Sequence, residues 1–376
     1  MIIGVDIRPM AGPKTGIQEY TEQILKNMIL LGSEHKFKLF FSSFSGQAPR
    51  RPWMDAPNVE LVEYRISSNL LFLVGKIFGY PFIDDLIGGA DVFFSPHFFM
   101  APLSKKCRRV TTFHDLSYLR FPNFFTWRKL WWHNVEMSPH WQARFSNHII
   151  SVSESTKADL VKFYDIDPVN ISVVHSGVNV SRPVENVLRV FKKENNLPDR
   201  YILHVGTIEP RKNITGLIRA FNILKEDLDY DDVELVLVGK DGWHIEEVLS
   251  EIQNSPHKNK IRRLGHVGGD LAPYYGLATV CVCPSFFEGF GFPVLEAMAC
   301  GLPVISSATS SLPEVAGNSA IYINPYNVSE IVEALKLVLS SEWLRDKMAK
   351  EGLLISNKFS WIGTARQSLA ILTRKQ

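Results

Sequence analysis

What this chain has little of narrows its class before any motif is considered. Only 4 cysteines occur in 376 residues, too few and too scattered for a disulfide framework. Two of them, Cys281 and Cys283, are spaced as neighbours on one face of a strand, which suits core packing better than metal ligation. The formal net charge is only +2, so nucleic acid bound through phosphate neutralisation is not expected as a partner. No apolar run reaches bilayer length; the stretch 70–74 is broken at Lys76. Met1-Ile2-Ile3-Gly4-Val5-Asp6 already reads as a strand and not as a leader, so a cytoplasmic location is expected. The loop around Gly12 and Gly16 lacks the G-x-G-x-x-G pattern of a nicotinamide site. Neither a short-period repeat nor a low-complexity tract occurs.

What remains is a globular chain, 45% hydrophobic, whose length suits two domains of common size. Apolar runs alternate with helix-patterned segments throughout. Strands are expected at 2–6, 37–41, 59–62, 91–95, 109–113 and 148–152 in the first half, with an amphipathic helix over 17–31. The second half repeats the alternation, with strands near 201–203, 233–238, 261–264, 280–283 and 304–306. Such alternation predicts an α/β fold of doubly wound parallel sheets. The expected domains are 1–183 and 184–355, with the crossover in the charge- and Asn-rich stretch 184–200 and a terminal helical segment over 356–376.

The richest segment is Glu288-Gly289-Phe290-Gly291-Phe292-Pro293-Val294-Leu295-Glu296. Two carboxylates bracket a glycine-rich turn that leads from a buried strand into a helix. Gly289 and Gly291 allow a ligand close to the backbone, and Pro293 suits the first helical position. A helix N-terminus favours phosphate, while carboxylates beside a phosphate make sense as holders of neutral sugar and ribose hydroxyls. A second motif, Gly206-Thr207-Ile208-Glu209-Pro210-Arg211-Lys212-Asn213, follows another expected strand. Arg211 and Lys212 there offer a planar fork and a compact charge for a diphosphate. As loop cations both are expected to be exposed.

At these residues the chain resembles the family 4 retaining glycosyltransferases of GT-B fold, in which two Rossmann-like domains face each other across a cleft. Ser285-Phe286-Phe287-Glu288-Gly289-Phe290-Gly291, Gly301-Leu302-Pro303-Val304-Ile305 and Ser311-Leu312-Pro313-Glu314-Val315-Ala316-Gly317 all fit that pattern. The resemblance implies that Glu288 contacts donor-sugar hydroxyls, Glu296 holds the ribose, and Arg211 and Lys212 bind the donor diphosphate. Gly206, Gly289, Phe290, Gly291, Val294 and Leu295 complete the donor-binding candidates, with the backbone near Val267 for the base. Some relatives carry another Arg just after the glycine of the upstream loop, where this chain has Thr207, so part of the phosphate contact is expected to differ. In the first half, Phe113-His114-Asp115-Leu116 ends a strand. The resemblance makes His114 a sugar-hydroxyl ligand or proton carrier, and Asp115 could fix its tautomer. Gly16, opening a helix, suits phosphate or acceptor contact, or is simply a turn. In GT-B enzymes the terminal helix returns to brace the first domain.

Several signals take a plainer reading. The D-x-D spacing within 227–232 is expected to be a solvated turn and not a divalent-cation site. The aromatic and basic segment 124–132 has the composition of a membrane-interface helix, but a half-buried helix packing its tryptophans inside is favoured. The sequon Asn213-Ile214-Thr215 lies inside the basic loop and carries little meaning there.

The chemistry that the resemblance implies is transfer of a hexose from a nucleotide-sugar to a glycan or polyprenyl-linked oligosaccharide. Arg211, Lys212 and the helix N-terminus near Pro293 would stabilise the leaving diphosphate, so neither metal nor cofactor is required. Same-face attack is what the resemblance implies; Glu288 as a covalent nucleophile stays open. Resemblance to bacterial mannosyltransferases makes GDP-mannose the first donor considered. A nucleotide-sugar epimerase of the same fold and a non-catalytic sugar-nucleotide binding protein are the alternatives.

Overall fold

The computed structural model describes residues 1–11, 15–44, 46–99 and 101–374, so Gly12 lies outside the described residues. The chain forms two compact units. The first comprises Met1–Arg120, Trp127–Gly177 and Ser360–Gln376, and the second Phe121–Thr126 and Val178–Phe359.

In the first unit, β1 (Ile2–Asp6), β2 (Lys36–Ser42), β3 (Val59–Tyr64), β4 (Val92–Ser95), β5 (Arg108–Phe113), β6 (His148–Ser151) and β7 (Ile171–Val173) form one sheet. Its order is β3-β2-β1-β4-β5-β6-β7, and every pairing is parallel. The helix Gly16–Leu31 starts where the Thr15 side chain accepts from the Gln18 amide (3.3 Å). Tyr20, Ile24, Leu25 and Met28, at helical spacing, are its buried stripe.

In the second unit, β8 (Tyr201–Val205), β9 (Glu234–Val238), β10 (Ile261–Gly265), β11 (Val280–Cys283), β12 (Val304–Ser307) and β13 (Ala320–Ile323) run in the order β10-β9-β8-β11-β12-β13. These pairings too are parallel. Strands β8 and β11 are buried along their whole length, as central parallel strands covered on both faces must be. That is why 201–203 and 280–283 read as unbroken apolar runs.

The units divide at Gly177 and Val178, ahead of the 184–200 stretch. That stretch instead opens with the helix Glu185–Glu194, whose only buried residue is Leu188; its charge is a solvent face, not a linker. The return is close-packed. A Cβ on Gly177 would lie 2.2 Å from the Trp361 amide nitrogen, so no side chain fits. Within the first unit the terminal helix Trp361–Thr373 is held by Thr364 Oγ1 donating to the His175 carbonyl (2.7 Å) and by the Trp361 ring against Tyr20.

Candidate functional site

In the second unit the chain moves to one side of β8 through β9 and β10 and to the other through β11, β12 and β13. The loops leaving β8 and β11 therefore flank the point where strand order reverses, the usual ligand crevice of such sheets. Both sequence motifs sit there. After β8, Gly206 takes φ 151°, a single turn spans Pro210–Lys212, and Asn213 adopts a left-handed conformation at φ 53°. Asn213 is buried and donates from Nδ2 to the Pro325 carbonyl (2.7 Å), which leaves the sequon amide occupied.

Glu288, on the loop after β11, is the centre of the site. It is only 5% exposed, and donors surround its carboxylate. Lys212 Nζ (2.5 Å) and Ser285 Oγ (2.7 Å) donate to Oε1, and Arg211 Nη1 (2.8 Å) donates to Oε2. Burial alone would push this carboxyl up. The Lys212 and Arg211 charges, with the hydrogen bonds from Lys212 and Ser285, outweigh it and hold the pKa at about 2.

Neither cation is the exposed loop charge that the sequence suggested. Lys212 is 7% exposed, and Arg211 is stitched into the protein: its Nε and Nη2 donate to Glu209 Oε1 (2.9 and 2.6 Å) and its Nη1 to the Phe287 carbonyl (2.7 Å). The Phe286 amide also donates to the Arg211 carbonyl (2.9 Å), so the two loops form one unit. The reason is pairing: the carboxylates of Glu209 and Glu288 allow the cations to be buried.

The glycine-rich turn is clamped by Ser311, whose Oγ donates to the carbonyls of Glu288 (2.9 Å) and Phe290 (2.8 Å). Gly291, with φ 108°, precedes the helix Phe292–Ala299, so Pro293 stands second and not first in it. Val294 and Leu295 follow Pro293 in this helix. Their side chains are wholly buried and their amides donate to the Gly291 carbonyl (3.1 and 3.2 Å), so neither offers a free N–H to phosphate. Phe290 is likewise buried, its ring edge-on to Phe292. Gly289 is buried beside Glu288. One turn into the helix, Glu296 Oε2 accepts from Tyr275 OH (2.8 Å). Burial, with the Glu296 carboxylate beside it, raises the Tyr275 pKa well above its usual value, so the phenol stays a donor. Val267 follows the edge strand β10, two strands from β8, and is half-buried.

His114 and Gly16 belong to the first unit. Gly16 is exposed at the start of its helix. His114 Nε2 is bonded to the Pro96 carbonyl (2.8 Å), with the Tyr20 ring edge-on at 4.7 Å. Asp115 does not hold the imidazole as expected; its Oδ1 accepts from the Ser117 amide (3.0 Å) and hydroxyl (2.7 Å). A carboxylate two residues before a helical turn is better placed to cap it than to reach back to the preceding ring. Burial lowers the His114 pKa against the opposing influences of Pro96 and Asp115. A neutral ring suits a hydroxyl ligand more than a proton donor.

The other cautions resolve differently. Asp227 pairs with Lys336 (3.0 Å), Asp232 with Arg200 (2.9 Å) and Asp231 with Lys225 (3.6 Å), so these carboxylates point to separate cations. Among the described residues no group of three potential metal ligands occurs. The favoured reading of 124–132 is overturned: Trp127 and Trp131 are 75% and 55% exposed. The packing aromatics are Phe124 and Phe125, whose partners in the second unit are Phe286 and Trp243. No helix of the described residues is long and apolar enough to cross a membrane.

Sequence reasoning missed Ser285, Ser310, Glu209, Tyr275 and His204. Ser310 Oγ accepts from the Glu288 amide (2.9 Å), and each of the others touches a site residue or the space beside it. Ser285, three positions before Glu288, and Glu209, two before Arg211, carried a local signal.

Both halves of the chain are similar to known proteins. The family model "Glycosyltransferase Family 4" matches residues 15–182, and "Glycosyl transferases group 1" matches residues 189–353. The O-antigen chain mannosyltransferase B of Escherichia coli is 29% identical over 377 residues, 96% of each chain. Among solved structures, sucrose-phosphate synthase from Thermosynechococcus elongatus superposes with a TM-score of 0.75 at 19% identity over 98% of both chains. Anabaena HepE, in complex with UDP and glucose, gives 0.73 at 16% identity over 99% of both.

Proposed function

Since this chain belongs to the family 4 glycosyltransferases and has their GT-B fold, we propose that it moves a hexose, with retention, from a nucleotide-sugar to a glycan or polyprenyl-linked oligosaccharide hydroxyl during synthesis of a bacterial surface polysaccharide. Mannose is the first sugar to test, because a relative matching 96% of the chain is named a mannosyltransferase. GDP-mannose heads the donor panel, with UDP-sugars and dTDP-rhamnose beside it.

The observation that carries this reading is the Glu288 carboxylate held by Lys212, Arg211 and Ser285 where the loops of β8 and β11 meet. A diphosphate arriving at the two cations replaces Glu288 as their counter-charge. The freed carboxylate then accepts hydrogen bonds from the sugar hydroxyls. The leaving-group charge is met by fixed cations, and no metal or cofactor is needed for that step. In this scheme Glu288 holds sugar hydroxyls and does not itself attack the anomeric carbon. Glu296, with Tyr275 orienting it, holds the ribose, and His114 in the first unit serves as a neutral sugar-hydroxyl ligand. Trp127 and Trp131, exposed beside Arg128 and Lys129, supply peripheral contact with the membrane that carries a polyprenyl-linked acceptor.

The test is a donor panel incubated with and without acceptor glycan. Acceptor-dependent product with the donor's anomeric configuration, read by NMR before equilibration, is the expected result. A new sugar formed from donor alone would make the protein an epimerase, and no turnover of any donor would leave it a binding protein.

A further inference from the structure

His204, at the penultimate position of β8, is 1% exposed and has no assigned role so far. Its Nδ1 lies 2.9 Å from the Val282 carbonyl on the neighbouring strand β11. A carbonyl only accepts, so Nδ1 carries the proton and Nε2 holds a lone pair. That Nε2 is buried with no hydrogen-bond partner. An orphaned acceptor costs stability, and an apolar side chain would fill a buried strand position without that cost. The orphan is placed beside the site. A Cβ built on Gly206 would stand 3.6 Å from Lys212 Nζ and 3.8 Å from His204 Nε2, so ammonium, lone pair and bare glycine border one small volume. Burial first, and the Lys212 charge after it, lower the imidazole pKa to about 4, against the Val282 bond and Glu288, so the ring stays neutral.

We infer that His204 is a positioning residue for Lys212: its Nε2 is the acceptor that steers the ammonium once donor diphosphate has displaced Glu288. An ammonium has three N–H groups; Glu288 takes one in the structure at hand. On donor binding the ammonium must turn to phosphate without losing its orientation. A neutral acceptor behind it fixes that orientation without competing as a counter-charge. Gly206 keeps the path between the two nitrogens free of a side chain. The inference rests on the diphosphate role proposed for Lys212.

The experiment compares H204N, H204Q and K212M by GDP and UDP calorimetry and by donor kinetics. H204N keeps a donor for the Val282 carbonyl, so it retains the strand contact while deleting Nε2. H204Q places an acceptor near Nε2. The expected result is that H204N melts close to wild type but weakens nucleoside diphosphate about 10- to 100-fold, the scale of one hydrogen bond to a charged group. H204Q recovers much of that loss, and H204N adds nothing further in a K212M background. Full GDP and UDP affinity in H204N, with K212M still defective, overturns the role of His204 alone. Equal defects of H204N in wild-type and K212M backgrounds overturn it too, since the residue would then act without Lys212. Unchanged affinity in K212M removes the diphosphate role itself.

Discussion

Glu288→Gln tests the site through its electrostatics. Each carboxylate oxygen faces a donor: Lys212 Nζ and Ser285 Oγ at Oε1, Arg211 Nη1 at Oε2. A glutamine has the same shape, but its amide nitrogen must point at one of those donors, and a buried ammonium loses its counter-charge. The magnitude follows from the pKa. Against the ordinary carboxyl value of 4.5, the folded value is about 2. At about 1.36 kcal/mol per unit, that gap is a stabilisation on the order of 3 kcal/mol. Breaking a buried pair by removing one partner costs about 3–5 kcal/mol, which agrees. Because the folded pKa is depressed, the stabilisation is complete above pH 4.5 and disappears as pH falls from there towards 2. The assay is the unfolding transition of the second unit, by calorimetry, for wild type and E288Q across pH 7 to 3. E288Q should be less stable by about 3 kcal/mol at pH 7, and the difference should shrink below pH 4.5, where the carboxyl of the unfolded wild-type chain protonates while the folded one stays ionised until about pH 2. Free GDP should bind E288Q at least as tightly, since its cations have lost an internal competitor, while sugar transfer falls. Equal stability at pH 7, or a gap independent of pH, would refute the reasoning.

Further outcomes follow from the same geometry. Lys212→Ala and Arg211→Ala should each lower turnover by roughly 10²–10³-fold; contrary to an exposed-loop picture, both should also lower the melting temperature, because each leaves a buried carboxylate short of a partner. Glu296→Ala should weaken free GDP together with the donor, whereas Glu288→Ala should spare GDP and damage transfer; equal effects in calorimetry would mean the two roles are exchanged. Gly177→Ala forces a Cβ to 2.2 Å from the Trp361 nitrogen, so the terminal helix should loosen and become accessible to limited proteolysis. Activity should persist in excess EDTA; loss restored by Mn²⁺ would show that a divalent ion shares the leaving-group charge.

The sequence by itself determined the local units. Apolar runs marked β8, β9 and β11 within one residue or two, because a central parallel strand is covered on both faces over most of its length. Glycines and charges at strand ends marked the loops of Arg211, Lys212 and Glu288, since ligand loops need close backbone approach and placed charge. The edge strands β7 (Ile171–Val173) and β13 (Ala320–Ile323) escaped; covered on fewer sides, they are only partly buried and stand out less from the flanking chain than the central strands do. Tertiary structure alone decided which charge meets which. Glu288 finds its cations 76 and 77 positions away, and His204 its carbonyl 78 away. Periodicity states that a residue is buried but not against what; strand order supplies the partner. The same limit explains Lys212, read as exposed and found buried, and Trp127, read as buried and found exposed. Burial of a charge depends on a counter-charge from another strand. Exposure of an aromatic depends on whether a neighbouring element covers it, and neither fact is written in the adjoining residues.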